Sequence, residues 1–162
     1  YVFLIDISFY NNHYYLWCLI CILFIISDAD KSLTLKEFVT KKNYDRIIPL
    51  STIQAFKILI SIVYFYAAVA KFNADWLQGY PPILWFQEKG FHFYKEMGLL
   101  MSYSGLLYDF LVPFGLWFFI RKWWFLVIYI SFHVLNYFTF NIGIFPVVMI
   151  LVLILFFPKA FL

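Results

Sequence analysis

The chain has 162 residues, 65% of them hydrophobic and 13% charged, where a soluble domain carries roughly 45–50% and 25%. That excess cannot be hidden in a water-soluble core, and a formal charge of +3 scattered over separate segments offers no clustered basic face for nucleic acid. What remains is an all-α integral membrane protein, an antiparallel bundle of about five spanning helices whose 22 Phe, 13 Tyr and 6 Trp suit lipid-facing and interfacial positions.

Spanning helices need about 17–25 predominantly apolar residues. Five segments are expected on that criterion, at 9–27, 51–70, 97–120, 123–140 and 144–157. Cys18 and Cys21 form a C-x-x-C inside the first; with helical spacing and no polar flank, they read as two small buried hydrophobes. The polar stretch from Asp28 to Pro49 follows, where Thr34 and Glu37 match a capping box. Asp28, Asp30 and Ser32 invite an EF-hand reading that fails, because Leu33 stands where the loop needs Gly and Val39 where it needs Glu. Asn73 to Glu96, with Trp76, Gly79, Pro81, Pro82 and Trp85, reads as an interfacial loop or re-entrant segment. Asn141-Ile142-Gly143 joins the last two segments in a tight antiparallel hairpin, with Pro146 tolerated in the first turn of the fifth. The sequence starts at Tyr1 with no initiator Met or basic n-region, so no signal peptide is expected and the chain reads as part of a longer protein.

Cytoplasmic loops carry the excess of Lys and Arg. With five spans, Lys31, Lys36, Lys41, Lys42, Arg46, Arg121, Lys122 and Lys159 fall on one side, Lys71, Lys89 and Lys95 on the other, and Lys57 within the second segment. The first side is expected to be cytoplasmic, and the second periplasmic or lumenal.

An ionisable group in a spanning segment costs at least about 2.5–3.5 kcal/mol at mid-bilayer and is by default a functional candidate. His13, after Asn11 and Asn12, lies at the outer start of segment one, Lys71 at the outer end of segment two and Asp109 within segment three. His133 and Asn136, three residues apart, share a face of segment four. At about 1.5 Å rise per residue, His133 lies roughly 15 Å from the cytoplasmic end. Together these groups are expected to line one pocket in the outer half of the bundle. Each also has a structural reading: Lys71 snorkelling to the interface, His133 and Asn136 bonding neighbouring helices, Asp109 paired internally, and His13 as an interfacial residue. Tyr64, Ala67 or Ala68 and Lys71 share a face on which the small alanines admit another helix or a flat ligand.

The run Ile62-Val-Tyr-Phe-Tyr-Ala-Ala-Val-Ala-Lys-Phe-Asn-Ala-Asp-Trp-Leu-Gln-Gly79 resembles the vitamin K-dependent gamma-carboxylase family and its bacterial relatives, the horizontally transferred transmembrane (HTTM) domain proteins. Asn11-Asn12-His13-Tyr14-Tyr15-Leu16, and Phe132-His133-Val134-Leu135-Asn136 through Asn141-Ile142-Gly143-Ile144-Phe145, resemble it in the same order. The resemblance implies a membrane core, in a bacterial inner membrane, that takes vitamin K hydroquinone or a related quinol with dioxygen and carbon dioxide and requires no metal. Epoxidation of the quinol generates a strong base that removes a gamma proton from Glu of a polypeptide partner, and carbon dioxide adds to the carbanion. It also implies Lys71, His13 and His133 as catalytic residues, with Lys71 the amine base and Asn12, Asn136, Asp109 and Trp76 as substrate-binding neighbours. Against the family pattern, Ala70-Lys71 replaces a lysine pair, Lys57 stands for Arg and Leu59 for Gln; the family's further spans and extramembrane domain, which engages the polypeptide, lie outside the matched region. Two other readings accommodate the same polar groups: a solute or proton transporter and a non-catalytic assembly module.

Overall fold

The computed structural model describes residues 12–27, 39, 49–140 and 143–157. Among them the regular structure is all α, in seven helices: α1 (Asn12–Ile26), α2 (Leu50–Lys71), α3 (Ala74–Leu77), α4 (Pro82–Glu88), α5 (Tyr94–Phe118), α6 (Trp123–Thr139) and α7 (Phe145–Phe156). The chain divides into two compact units, Tyr1–Leu59 and Ile60–Leu162. In the first, the rings of Phe24 and Phe56 meet at 4.8 Å between centroids. The second holds the rest of α2 and all of α3 to α7.

Composition and length make α2, with 22 residues, and α5, with 25, long and apolar enough to cross a membrane. The other three expected spans are apolar but shorter, 15, 17 and 12 residues for α1, α6 and α7. At about 1.5 Å per residue, α7 extends about 18 Å, less than a hydrocarbon core of about 30 Å. The capping box at Thr34 and Glu37 and the rejected loop at Asp28 lie outside the described residues.

Within the second unit each long helix buries one narrow stripe. Ile60, Tyr64 and Ala68 repeat every four residues on α2, as do Phe125, Tyr129 and His133 on α6; Ser102, Gly105, Tyr108, Asp109, Val112 and Leu116 on α5, and Pro146, Met149, Leu153 and Phe156 on α7, share a face at helical spacings. The opposite faces are apolar and exposed, with Phe65, Tyr66 and Val69 on α2, Leu107, Phe110, Leu111 and Phe114 on α5, and Val127, Ile128, Leu135 and Phe138 on α6. Large hydrophobics on these outer faces make a surface that water solvates poorly and lipid solvates well.

Small residues set the helix spacing. A Cβ on Gly115 would lie 2.1 Å from the Phe125 ring, and one on Gly98 would lie 2.7 Å from the Ile83 backbone. Gly115 against Phe125, and Tyr108 stacked on Phe132 at 3.5 Å, run α5 and α6 in opposite directions. Trp117 donates to Ser61 Oγ at 2.8 Å and meets Phe156, so one end of the unit holds the α5 C-terminus, the Ser61 turn of α2 and the end of α7. At the other end Trp85 packs on Phe140 and Lys89 donates to the Thr139 carbonyl.

The segment 73–96, expected as an interfacial loop or re-entrant segment, is largely helical. Asn73 starts α3 by accepting from the Trp76 amide at 3.0 Å while donating to the Ala70 carbonyl at 2.8 Å, which joins the end of α2 to the next turn. Gly79, at φ +91°, permits the reversal into α4, whose first turn begins with Pro82. Pro146 opens α7 as expected. Cys18 and Cys21 are free and exposed on α1, not buried; among its described side chains only Leu16 is buried.

Candidate functional site

Two polar clusters lie inside the second unit, joined by adjacent residues of α5. In the first, Lys71 at the C-terminus of α2 forms an ion pair with Asp109 on the inner stripe of α5. The Asp109 side chain is 8% exposed and that of Lys71 23%, so the carboxylate is sunk in the apolar interior while the ammonium reaches it from the edge. One turn beyond, Pro113 carries no N–H, so the backbone bond that would close the turn on the Asp109 carbonyl is missing.

Trp76 completes this cluster. The Asn73 cap sets its backbone, its ring lies 5.3 Å from Lys71 Nζ, and Nε1 donates to the Ser102 carbonyl at 2.8 Å. Gly105, three residues further along α5, leaves room for the indole: a Cβ there would touch it at 3.9 Å. Tyr103 adds a second tie, donating to the Leu77 carbonyl at 3.0 Å. The hydroxyl of Ser102 is fully buried with no hydrogen-bond partner among the described residues. A buried hydroxyl with no partner is unusual.

The second cluster is built from tyrosines around His133. Tyr64 Oη lies 2.7 Å from His133 Nε2 and donates to Tyr129 Oη at 2.8 Å; Tyr129 in turn donates to the Met149 carbonyl at 2.8 Å. The edge of Tyr108 faces His133, with ring centroids 6.0 Å apart. His133 is 3% exposed and Tyr129 fully buried, and the rings of Tyr64, Tyr108 and Tyr129 pack around the imidazole. A cavity of about 380 Å³ lies at the α6–α7 end, lined by Tyr137, Phe140, Gly143, Ile144 and Val147.

The structure therefore brings Lys71, Asp109 and Trp76 into one cluster and places His133 in the next. Asn136, one turn beyond His133, is half-buried. Asn12 and His13 open α1, but their side chains lie outside the described residues. Sequence reading missed Tyr108, Tyr129 and Ser102. The available signals were spacing and adjacency: Tyr129 stands four residues before His133 on the same face, and Tyr108 immediately precedes Asp109. Among the described residues no group of three or more His, Cys, Asp or Glu is placed to hold a metal ion.

The fold and these clusters define a helical protein with two helices long and apolar enough to cross a bilayer and, between them, a lysine–aspartate ion pair whose carboxylate is buried. The HTTM domain family matches residues 1–161, and the chain belongs to that family. No solved structure matches it.

Proposed function

We propose that this chain is the membrane core of a gamma-carboxylase-like enzyme, a five-span bundle in which Lys71 deprotonates a quinol. The observation that carries this reading is the ion pair of Lys71 with the buried Asp109. A lysine that serves only to reach the interface has no need of a carboxylate sunk in the apolar core, where charge is costly. The family membership and the Ile62 to Gly79 resemblance add to it.

To act as a base, Lys71 must first be a neutral amine. Its hydrogen bond to Asp109 supplies the route: the proton passes from Nζ to the carboxylate, leaving an amine beside a carboxylic acid. The amine then accepts the proton of a quinol O–H, and the new ammonium is stabilised by the Trp76 ring. The unpaired Ser102 hydroxyl fits a quinol as a hydrogen-bond partner for one of its oxygens. A bound quinol with dioxygen supplies the strong base that abstracts a gamma proton from Glu, to which carbon dioxide adds; exclusion of water protects that base. The apolar outer faces allow an isoprenoid quinol to approach through lipid.

The sidedness of this reading puts Lys71, α3, α4 and the α6–α7 hairpin on the periplasmic or lumenal side. The contacts of Trp85 with Phe140 and of Lys89 with Thr139 support it by gathering those elements at one end of the unit.

The test uses full-length protein in native-like membranes, supplied with vitamin K hydroquinone and dioxygen. Epoxide from wild type and none from Lys71→Ala is the expected result. A folded wild type that forms no epoxide, or a Lys71→Ala variant that forms it at the wild-type rate, overturns the proposal; potential-driven solute uptake without quinol turnover would move the assignment to transport.

A further inference from the structure

The tyrosines around His133 form a hydrogen-bond chain whose direction is fixed by its last member. The Met149 carbonyl can only accept, so the hydroxyl hydrogen of Tyr129 is committed to it. Tyr129 Oη must then accept from Tyr64, and the 2.8 Å bond between them uses the single hydroxyl hydrogen of Tyr64. Tyr64 Oη therefore faces His133 Nε2, 2.7 Å away, as an acceptor, and Nε2 must carry a hydrogen. We infer that Tyr64 and Tyr129 are positioning residues for His133, holding its imidazole as the Nε2–H tautomer with the lone pair on Nδ1.

The chain orients the imidazole and does not conduct. A backbone carbonyl cannot pass a proton onward, so the wire ends at α7 and no proton leaves by that route. Three rings on α2, α5 and α6 enclose the imidazole and restrict its rotation: Tyr64 at 6.3 Å, Tyr108 at 6.0 Å and Tyr129 at 4.8 Å between centroids. Any hydrogen bond that His133 accepts from a substrate hydroxyl, and any proton it takes, is then confined to Nδ1. This functional consequence rests on the role proposed for His133 in quinol chemistry; the tautomer does not. The arrangement parallels sites in which an outer partner fixes which imidazole nitrogen works.

The experiment is nitrogen NMR on full-length protein carrying ¹⁵N-histidine, in lipid nanodiscs at neutral pH and without quinol. Loss of signals in His133→Gln separates His133 from the other histidines. Wild type is expected to show a protonated Nε2 and an unprotonated Nδ1 at His133. In Tyr129→Phe, Tyr64 is released to donate to Nε2, and the proton is expected to shift in part or whole to Nδ1. A wild-type His133 that is Nδ1–H or doubly protonated overturns the inference, and so does a tautomer unchanged in folded Tyr129→Phe. Wild type decides the first point even if a variant does not fold. Because no quinol is present, a failure of epoxide formation and a failure of this assignment are read separately.

Discussion

Lys71 and Asp109 are each uncomfortable alone. Removing the lysine leaves a carboxylate buried in an apolar stripe, and breaking such a pair costs about 3–5 kcal/mol; with Lys71 partly exposed, the low end applies. Lys71→Ala is therefore expected to lose about 3 kcal/mol of stability, and adding Asp109→Leu to recover most of it, as measured by denaturation in a fixed lipid mixture. Ser102 should behave in the opposite way. Its buried hydroxyl has no partner among the described residues, so Ser102→Ala is expected to melt no lower than wild type while raising KM for the quinol; a clear loss of stability would mean that the hydroxyl is already bonded. The sequence singled out Lys71, Asp109 and His133 because charge is conspicuous in apolar segments. It did not single out Tyr108 and Tyr129, because in a chain with 25% aromatic residues a tyrosine reads first as an interfacial side chain, and the hydroxyl acquires meaning only through partners on other helices. Nor can a pairing across 38 residues, as between Lys71 and Asp109, be read from local spacing.

At the scale of elements, helix contacts depend on missing side chains. On α5, Gly98 meets the backbone of Ile83, which cannot move without moving α4, whereas Gly115 meets the outer atoms of the Phe125 ring. Gly98→Ala is expected to cost about 1–3 kcal/mol and to resist repair by substitutions at Ile83, while the loss in Gly115→Ala is expected to shrink when Phe125 is shortened to Leu. Thermal melting of the single and paired variants checks both, and equal rescue at the two sites would contradict this account of α4 against α5. The long helices were legible within about three residues at each end, since apolar runs and the Pro146 start are local signals. The stretch from 73 to 96 reads in sequence as an interfacial loop or re-entrant segment because its Gly and Pro residues outweigh two local helix signals, the Asn73 cap and Pro82 at a first helical turn. The exposure of Cys18 and Cys21 on α1 was equally invisible, because a helix that is apolar all round does not declare which face is inside.

For the whole molecule, the proposed sidedness makes a direct prediction. With Cys18 and Cys21 replaced by Ala, a single cysteine at Gly90 and one at Lys122 are expected to react with a membrane-impermeant maleimide from opposite sides of oriented membranes. Labelling of both from the same side would contradict a spanning α5 and the placement of Lys71 on the outer side. Composition alone points to lipid, and the exposed apolar faces carry the same message in three dimensions. The central claim is narrower, that Lys71 works as an amine that can give up its proton and not simply as a cation. Lys71→Arg separates the two, since arginine preserves the charge and the pairing with Asp109 but stays protonated throughout. The measurement is epoxide formation from vitamin K hydroquinone and dioxygen in membranes containing the full-length Lys71→Arg variant, with its melting temperature recorded alongside. The account predicts near wild-type stability with epoxide formation abolished; epoxide at the wild-type rate would contradict it.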